Sequence, residues 1–488
     1  MTMQSVLAPR QDEQDLSGIP LFAPHEKVYP RRVRGPIRRI KWAVLTACLA
    51  LYYIGPWLRW DRGPAHPDQA FLIDMPARRA YFLWIEIWPH EIYYLAGLLI
   101  VAAIALFLVT SLFGRLWCGF TCPQTVWTDL FLWAERFVEG DRMQRIHLDQ
   151  QPLTLAKAAK KLAKHAIWLV IAALTGGAWV MYFNDAPTLL RDLAALKASS
   201  TQVGFIGLFT GTTYLLAGWA REQVCTYMCP WPRFQSAMID EETLTVGYRD
   251  WRGEPRGKHR KGESWTGHGD CVDCSACVAV CPTGIDIRAG LQLECIGCGL
   301  CIDACDEIMD KVGRPHGLIA FESYANRLAA RRGEAPHRQF LRTRTILYGA
   351  VLAAIAGLMA VTLAARGTLE ISLLPDRNPL FVRLSDGSIR DGYTLKIENK
   401  SGGTRVYTVT ASGLSGALLH VAESEQPPVS ASNGITLAVG GDRIGTYRLY
   451  IQAPTSGEKE IPFVITVRDA ASGESARHGA SFRGPGHS

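Results

Sequence analysis

Eight of the thirteen cysteines lie between residues 271 and 306, in CVDCSACVAVCPTGIDIRAGLQLECIGCGLCIDACD. Each half of this stretch reads C-x2-C-x2-C-x3-C. Thiolates are soft ligands that suit iron–sulfur clusters, zinc and Cu(I). Structural zinc takes four ligands, commonly two separated C-x2-C pairs. A run of three cysteines in steps of three plus a fourth, repeated once, is instead the two-cluster bacterial ferredoxin pattern, in which the fourth cysteine of each run serves the other cluster. The spacing therefore predicts one [4Fe–4S] cluster on Cys271, Cys274, Cys277 and Cys305, and a second on Cys295, Cys298, Cys301 and Cys281. The small residues Ser275, Ala276, Gly297 and Gly299 let backbone amides approach the cluster sulfides, contacts that tune cluster potential. Pro282 follows the first run, whereas Asp306 follows the second, where a proline is common.

Four more cysteines form two matching C-x3-C-P motifs. Cys118 and Cys122 lie in RLWCGFTCPQTVW, and Cys225 and Cys229 in REQVCTYMCPWPRFQ. Proline suits the first helical position, so Pro123 and Pro230 put Cys122 and Cys229 near helix N-termini. There the dipole, with Arg115, Arg221 and Arg233 nearby, is expected to favour thiolate. If the two motifs pack together, four thiols meet at one membrane face. Such a group can bind and reduce a metal, exchange thiol for disulfide, or ligate another cluster. The plainer alternative is buried structural cysteine beside a helix-breaking proline. Cys48, inside an apolar run, reads as packing. His90 and Glu91 are candidates for a quinol or metal contact, set against a plain interfacial belt with Trp84 and Trp88. His147, His165, His268 and His316 lack ligand-spaced partners and read as surface or boundary residues.

The elements that must carry these sites include five stretches free of Asp, Glu, Lys and Arg, each near the ~20 residues a bilayer crossing needs. They lie between Lys41 and Arg59, Glu91 and Arg115, Lys164 and Asp185, Lys197 and Arg221, and Arg344 and Arg366. Lys and Arg number eight in the first 41 residues, four in 58–91, eight in 114–164, two in 184–202 and seventeen in 221–344. By the positive-inside rule the N-terminus and the cysteine-rich segment are cytoplasmic, and the region after Arg366 lies outside. The net charge of +7 thus reads as topology, and no nucleic-acid partner is expected. The polar start MTMQSVLAPRQDEQDLSGIP has no apolar run, so no cleavable signal peptide is expected.

The predicted architecture is multi-domain. A basic cytoplasmic segment (1–41) precedes a four-helix membrane domain (42–220) that holds the first C-x3-C-P motif. A cytoplasmic segment (221–344) carries the second motif and a ferredoxin-like domain at about 262–315. A fifth transmembrane helix (345–366) leads to a periplasmic all-β domain (367–475). There, alternating stretches such as YTLKIEN and TRVYTVTA between Gly-rich turns suggest an immunoglobulin-like sandwich without its disulfide. The polar end, 476–488, reads as disordered.

Taken in order, RLWCGFTCPQTVWTDLF, EQVCTYMCPWPRFQSAMID, the ferredoxin run with CIGCGLCIDACDEIMDKVG and the C-terminal sandwich resemble the cytochrome c oxidase accessory proteins of the CcoG (FixG/RdxA) family. The resemblance covers nearly the whole chain beyond the first twenty residues. It implies a bacterial inner-membrane protein that reduces Cu(II) to Cu(I) during assembly of cbb-type oxidases. The eight clustered cysteines would be the cofactor ligands. Cys118, Cys122, Cys225 and Cys229 would form the copper or redox site, with copper as substrate. Oxidase assembly components or copper chaperones would be the partners. No well-placed G-x-G-x-x-G marks a nucleotide or flavin site, so the electron donor lies outside the chain or is quinol. Two other readings stand beside this one: a membrane quinol dehydrogenase-like subunit, and a non-enzymatic assembly factor that docks through its sandwich.

Overall fold

The computed structural model describes residues 27–63, 66–260, 262, 264–335, 339–422, 427–455 and 458–485. In chain order, helix α1 (Pro36–Ile54) is followed by a meander of β1 (Phe71–Asp74), β2 (Arg79–Phe82) and β3 (Ile85–Ile87). Next come α2 (Tyr93–Phe113), α3 (Leu116–Phe120), α4 (Pro123–Glu139), α5 (Arg142–Gln150), α6 (Leu155–Met181), α7 (Ala186–Ala194) and α8 (Ser200–Thr213). The last continues as a π-helical stretch, Tyr214–Ala220, and a second π-helical turn, Val224–Met228, precedes α9 (Trp231–Met238). Strand β4 (Thr245–Tyr248), the short α10 (Asp250–Gly253), α11 (Ala276–Val280), α12 (Leu300–Val312), β5 (Ile319–Glu322), α13 (Tyr324–Arg331) and α14 (Thr343–Ala364) complete the helical part. The chain forms two compact units, residues 1–56 with 99–352 and residues 57–98 with 353–488.

Among the described residues four helices are long and apolar enough to cross a membrane: Pro89–Phe113, Leu155–Met181, Ser200–Ala220 and Thr343–Ala364. Helix α1, expected as the first of five, is not among them. It starts at Pro36, so Arg38, Arg39 and Lys41 lie inside the helix rather than before it. Nor is Lys41 a solvated boundary. It is 3% exposed, and its Nζ lies 3.5 Å from the Asp129 carboxylate, which also receives the Arg38 guanidinium at 2.7 and 3.0 Å. Asp303 of α12 caps α1 from a distance, accepting from the Ile37 and Arg38 amides at 3.2 and 2.7 Å. The basic side chains thus fasten α1 to α4, and its first amides fasten it to the cysteine-rich segment.

That segment forms a module wider than 262–315. β4 and β5 pair antiparallel from Thr245↔Glu322 to Tyr248↔Ile319 and bracket it. Its core joins Val246, Ile287, Ile302, Met309, Leu318 and Ile319 to several of the cysteines. α12 follows Gly299, whose left-handed backbone suits glycine, and ends before Gly313, a left-handed glycine C-cap.

In the other unit, strands β6 (Leu369–Pro375), β7 (Val382–Arg383), β8 (Ile389–Asn399), β9 (Arg405–Ser412), β10 (Leu418–Val421), β11 (Val429–Ser430), β12 (Ile435–Val439), β13 (Arg443–Ala453), β14 (Glu460–Asp469) and β15 (Ser475–Arg483) build the sandwich. One sheet runs β11-β10-β13-β8-β6 with β7 on β8, and the other β12-β9-β14-β15. Strict alternation along β8 buries Leu395 and Ile397 against Val409, Leu449, Ile451 and Ile465. The end expected to be disordered is the edge strand β15. It pairs with β14 from Glu460↔Arg483 to Arg468↔Ser475 and buries Phe482. Backbone pairing holds it where its polar side chains give no sequence signal. Residues 486–488 fall outside the described set.

Candidate iron–sulfur and thiol sites

The module gathers the clustered cysteines into two groups. Cys271, Cys274, Cys277 and Cys305 line one cavity with Tyr248, Arg288 and Met309. Cys281, Cys295, Cys298 and Cys301 line a second with Val246, Thr283 and Ile287, and Cys277 lies in the wall of both. The fourth cysteine of each run thus sits with the first three of the other. All eight thiols are free of disulfides. Four soft donors facing one apolar hollow is a ligand set that fits a [4Fe–4S] cluster. Burial pushes Cys277 up to about 11 and Cys295 and Cys305 to about 12, so in this apolar setting thiolate form requires bound cationic charge.

The two runs reach the same backbone shape with different residues. Asp273 and Ser275 in the first run, and Gly297 and Gly299 in the second, all adopt positive φ between 52° and 69°. Glycine in the second run also answers to packing. A Cβ at Gly299 would lie 2.7 Å from the Phe321 ring, and one at Gly297 3.2 Å from Arg115. Asp306, in the place of a proline, accepts from the Gly317 amide at 2.9 Å and so closes the end of the module.

The paired motifs lie against this module. Cys122 is the N-cap of α4 with Pro123 at its first position, as expected, and Cys229 precedes Pro230, the N-cap of α9. The four sulfurs lie near one another: after burial, the neighbouring Cys122, Cys225 and Cys229 disfavour charge on Cys118, and Cys122 and Cys229 disfavour it on Cys225. Two glutamines absent from the sequence reading tie the motifs together. Gln235 of α9 accepts from Cys118 Sγ at 3.2 Å, and Gln124 of α4 donates to the carbonyls of Leu216 and Arg221 at 2.8 and 3.1 Å. Only the hydrogen-bonding capacity of these residues was visible in sequence; their partners are set by tertiary approach.

The expected thiolate stabilisation is present at Cys118, where Arg115 favours the charged form, but burial outweighs it. Arg115 donates to the carbonyls of Leu293 and Cys295 (3.0 Å for the latter) and of Pro232 (2.9 Å). Arg221 pairs with Glu135 at 2.9 Å, beside Arg145 at 2.7 Å. Burial dominates, pushing Cys118 and Cys225 up to about 12. At Cys122 the amides of Gln124 and Thr125 oppose the same upward push. Cys118, Cys122 and Cys225 are therefore held toward the neutral thiol, and a bound soft cation would favour their thiolates.

The first motif touches the ligand loop of the second cavity directly. A Cβ at Gly119 would lie 2.9 Å from Cys298 N and Cα and 2.9 Å from the Gly297 carbonyl oxygen. Cys118 and Cys225 also pack on the apolar cluster that contains Cys298 and Leu300. The second motif differs in being π-helical, a form that recurs at functional sites.

Within the other unit, His90 joins Glu370 and Glu398, with donor atoms within 4.8 Å of one another as a metal contact needs, and Glu91 is a structural tie. His90 Nδ1 lies 2.9 Å from Glu398, and Glu91, 1% exposed, meets Lys400 at 2.9 Å and Arg366 at 3.3 Å. Trp84 is exposed, but Trp88 is buried under the Arg79 guanidinium, 3.8 Å from its ring centroid, and is no interfacial belt residue.

Fold and sites together define an iron–sulfur electron-transfer protein with membrane-length helices and an immunoglobulin-like C-terminal domain. The family model for a 4Fe-4S dicluster domain matches residues 220–324 and that for a 4Fe-4S binding domain residues 95–139. The model for the IG-like fold at the C-terminus of FixG matches residues 359–485. The chain is 49% identical to protein RdxA of Cereibacter sphaeroides over 442 residues, 90% of this chain and 92% of that one. It is 46% identical to nitrogen fixation protein FixG of Rhizobium meliloti, over 96% of this chain and 94% of the relative. With protein RdxB of C. sphaeroides it shares 48% identity over 96% and 98% of the two chains. The chain belongs to the FixG/RdxA family.

Proposed function

We propose that the chain carries electrons through two [4Fe–4S] clusters to the four-thiol site, which reduces Cu(II) to Cu(I) for assembly of a cbb-type cytochrome c oxidase. Cys271, Cys274, Cys277 and Cys305 would hold one cluster, and Cys281, Cys295, Cys298 and Cys301 the other. When bound, each cluster supplies a one-electron relay. The observation that carries the reading is the packing of Gly119 onto the Cys298 backbone, which sets the thiols against a cluster ligand loop with no intervening layer. Thiolate favours Cu(I) over Cu(II). Cys118, Cys122, Cys225 and Cys229 would therefore release protons as copper enters and hold it as Cu(I). The basic flanks support a bacterial inner-membrane protein with the module in the cytoplasm and the sandwich in the periplasm, free to meet oxidase assembly partners or a copper chaperone.

A second reading has its own support. The 4Fe-4S binding domain match at 95–139 spans Cys118 and Cys122, which favours a further cluster on the four thiols. One experiment separates the two. Purified protein with chemically reduced clusters is given Cu(II) without oxygen, and Cu(I) is trapped by a chromogenic chelator. Serine variants of Cys118, Cys122, Cys225 and Cys229 are compared with iron content. Loss of Cu(I) formation at the iron content of two clusters supports the copper site. Wild-type iron equal to three clusters, falling to two in the variants, supports the third cluster. Undiminished copper reduction in all four variants overturns the copper site.

A further inference from the structure

A cavity of about 460 Å³ lies between α6 and the π-helical stretch Tyr214–Ala220, within the ~300–1,000 Å³ of ligand pockets. His165, Trp168, Trp219, Lys164, Glu222 and Gln223 are among the residues that line it. His165 follows Lys164 at the charged end of a membrane-length helix, where its apolar part begins, so it stands at the membrane boundary, the level of a quinol headgroup. Its Nδ1 is 2.9 Å from Tyr214 Oη, which leaves Nε2 for a ligand. Its ring stacks on Trp219 (centroids 5.8 Å apart, 19° between planes) and meets Trp168 edge-on. Trp219 is 62% exposed on a helix long and apolar enough to cross a bilayer, so one wall of the cavity would face lipid. The lysines at the rim do not make an anion site. Lys27 and Lys161 pair with Asp149, and Lys164 with Glu139. Arg221 and Glu222 line this cavity and also the small one that contains Cys225, so the two share a wall.

We propose that this cavity binds the headgroup of an isoprenoid quinol and that its oxidation supplies the electrons used at the thiol site, an inference that rests on the copper reading above. The ring is held between Trp168 and Trp219. One quinol loses two electrons and two protons and becomes quinone. The electrons reduce two Cu(II) to two Cu(I). His165 Nε2 takes one proton and the Glu222 carboxylate the other, and both pass to water at the rim.

The test uses the full chain in detergent with decylubiquinone as probe. Quinone binding is read as quenching of tryptophan fluorescence. Anaerobic decylubiquinol oxidation is read against trapped Cu(I), with dithionite as an alternative donor. The expected result is saturable quenching, two Cu(I) per quinol, and a ratio of quinol-driven to dithionite-driven rate that falls at least tenfold in both His165→Gln and Trp219→Leu. Wild type that reduces copper with dithionite but oxidises no quinol overturns the proposal and leaves the copper reading standing. An unchanged rate ratio in both variants, or quenching that neither alters, also overturns it, leaving a lipid tail as the occupant. If dithionite itself yields no Cu(I), the copper reading fails, and the electron route proposed here fails with it. The quenching titration then decides the quinone site alone.

Discussion

Replacing Gly119 by alanine tests whether the thiol motif and the cluster loop form one packed unit. Gly119 lies inside α3, and alanine is favoured over glycine in a helix by about 0.5–1 kcal/mol. If nothing stood in the way, Gly119→Ala would stabilise the protein by that amount. The structure puts the new Cβ 2.9 Å from Cys298 N and Cα and from the Gly297 carbonyl oxygen, all of them backbone. None can swing aside as the end of a flexible side chain would. Overpacking of this kind costs about 1–3 kcal/mol. The net expected change is destabilisation by about 0.5–2 kcal/mol, with the sign opposite to that from helix propensity alone. The strain should fall on the ligand loop of Cys295, Cys298 and Cys301 and spare that of Cys271, Cys274 and Cys277. The assay is thermal unfolding followed at the cluster absorbance, with electron paramagnetic resonance of the reduced protein to distinguish the two clusters. Gly177→Ala, in α6 with nothing within 4 Å of the added Cβ, serves as the control that should be neutral or stabilising. A Gly119→Ala protein as stable as wild type or more so, with both cluster signals unaltered, would refute the direct contact and with it the main support for electron transfer to the thiols.

Three further outcomes are expected. Cys305→Ser should remove the cluster held with Cys271, Cys274 and Cys277, and Cys281→Ser the other; in each, the spin-coupled spectrum should collapse to that of one cluster, and a reversed assignment would sink the crossed ligand scheme. Burial pushes Asp391 of the sandwich up to about 6. Its native form therefore holds a proton that the unfolded chain releases near ~3.9, and its contribution to stability is full below about pH 4 and lost as pH rises through 6. At ~1.4 kcal/mol for each pH unit between those values the ceiling is about 3 kcal/mol, so Asp391→Asn should raise sandwich stability at pH 8 by about 1–2 kcal/mol and flatten the slope between pH 4 and 6 in denaturant titrations. Iron chelation should lower the unfolding transition of the cysteine-bearing unit and leave that of the cysteine-free sandwich in place, since metal affinity is folding energy only where the ligands are; calorimetry that shows both transitions moving together would contradict this.

The parts legible in sequence are those whose chemistry fixes a spacing. Steps of three between cysteines put thiols around one hollow, and a proline after a cysteine puts that cysteine at a helix start, as at Cys122. Alternation along YTLKIEN reads directly as β8. The polar edge strand β15 was not legible, because its pairing with β14 uses backbone groups that every residue carries. Nor were the true employments of the charges. Lys41 and Arg38 look like a solvated membrane boundary, yet they close on Asp129 in the interior. Arg115 looks like a partner for thiolate, yet it spends its fork on the carbonyls of the cluster loop and of α9. In each case the sequence shows the donor, and only the tertiary approach supplies the acceptor.

The same reasoning explains why His165 carried no signal. A lone histidine beside Lys164, where a charged stretch gives way to an apolar one, has no spacing to test, and its meaning depends on Trp219, more than fifty positions later. The π-helical stretch shifts the register of that later helix, and no composition pattern announces such a shift. Yet the geometry has a functional consequence. Glu222 lines the cavity and stands three residues before Cys225, so the proposed quinol would sit beside the turn that carries a thiol. The first motif is fixed rigidly on the cluster loop through Gly119 and Arg115. The second is held through Gln124, through Gln235 on Cys118, through Arg115 on the Pro232 carbonyl and through Cys225 on the apolar cluster around Cys298. Of the two matching motifs, then, the first is built to stay in register with the clusters. The second adds a π-helical turn close to the cavity of His165 and Trp219, where the proposed quinol would sit.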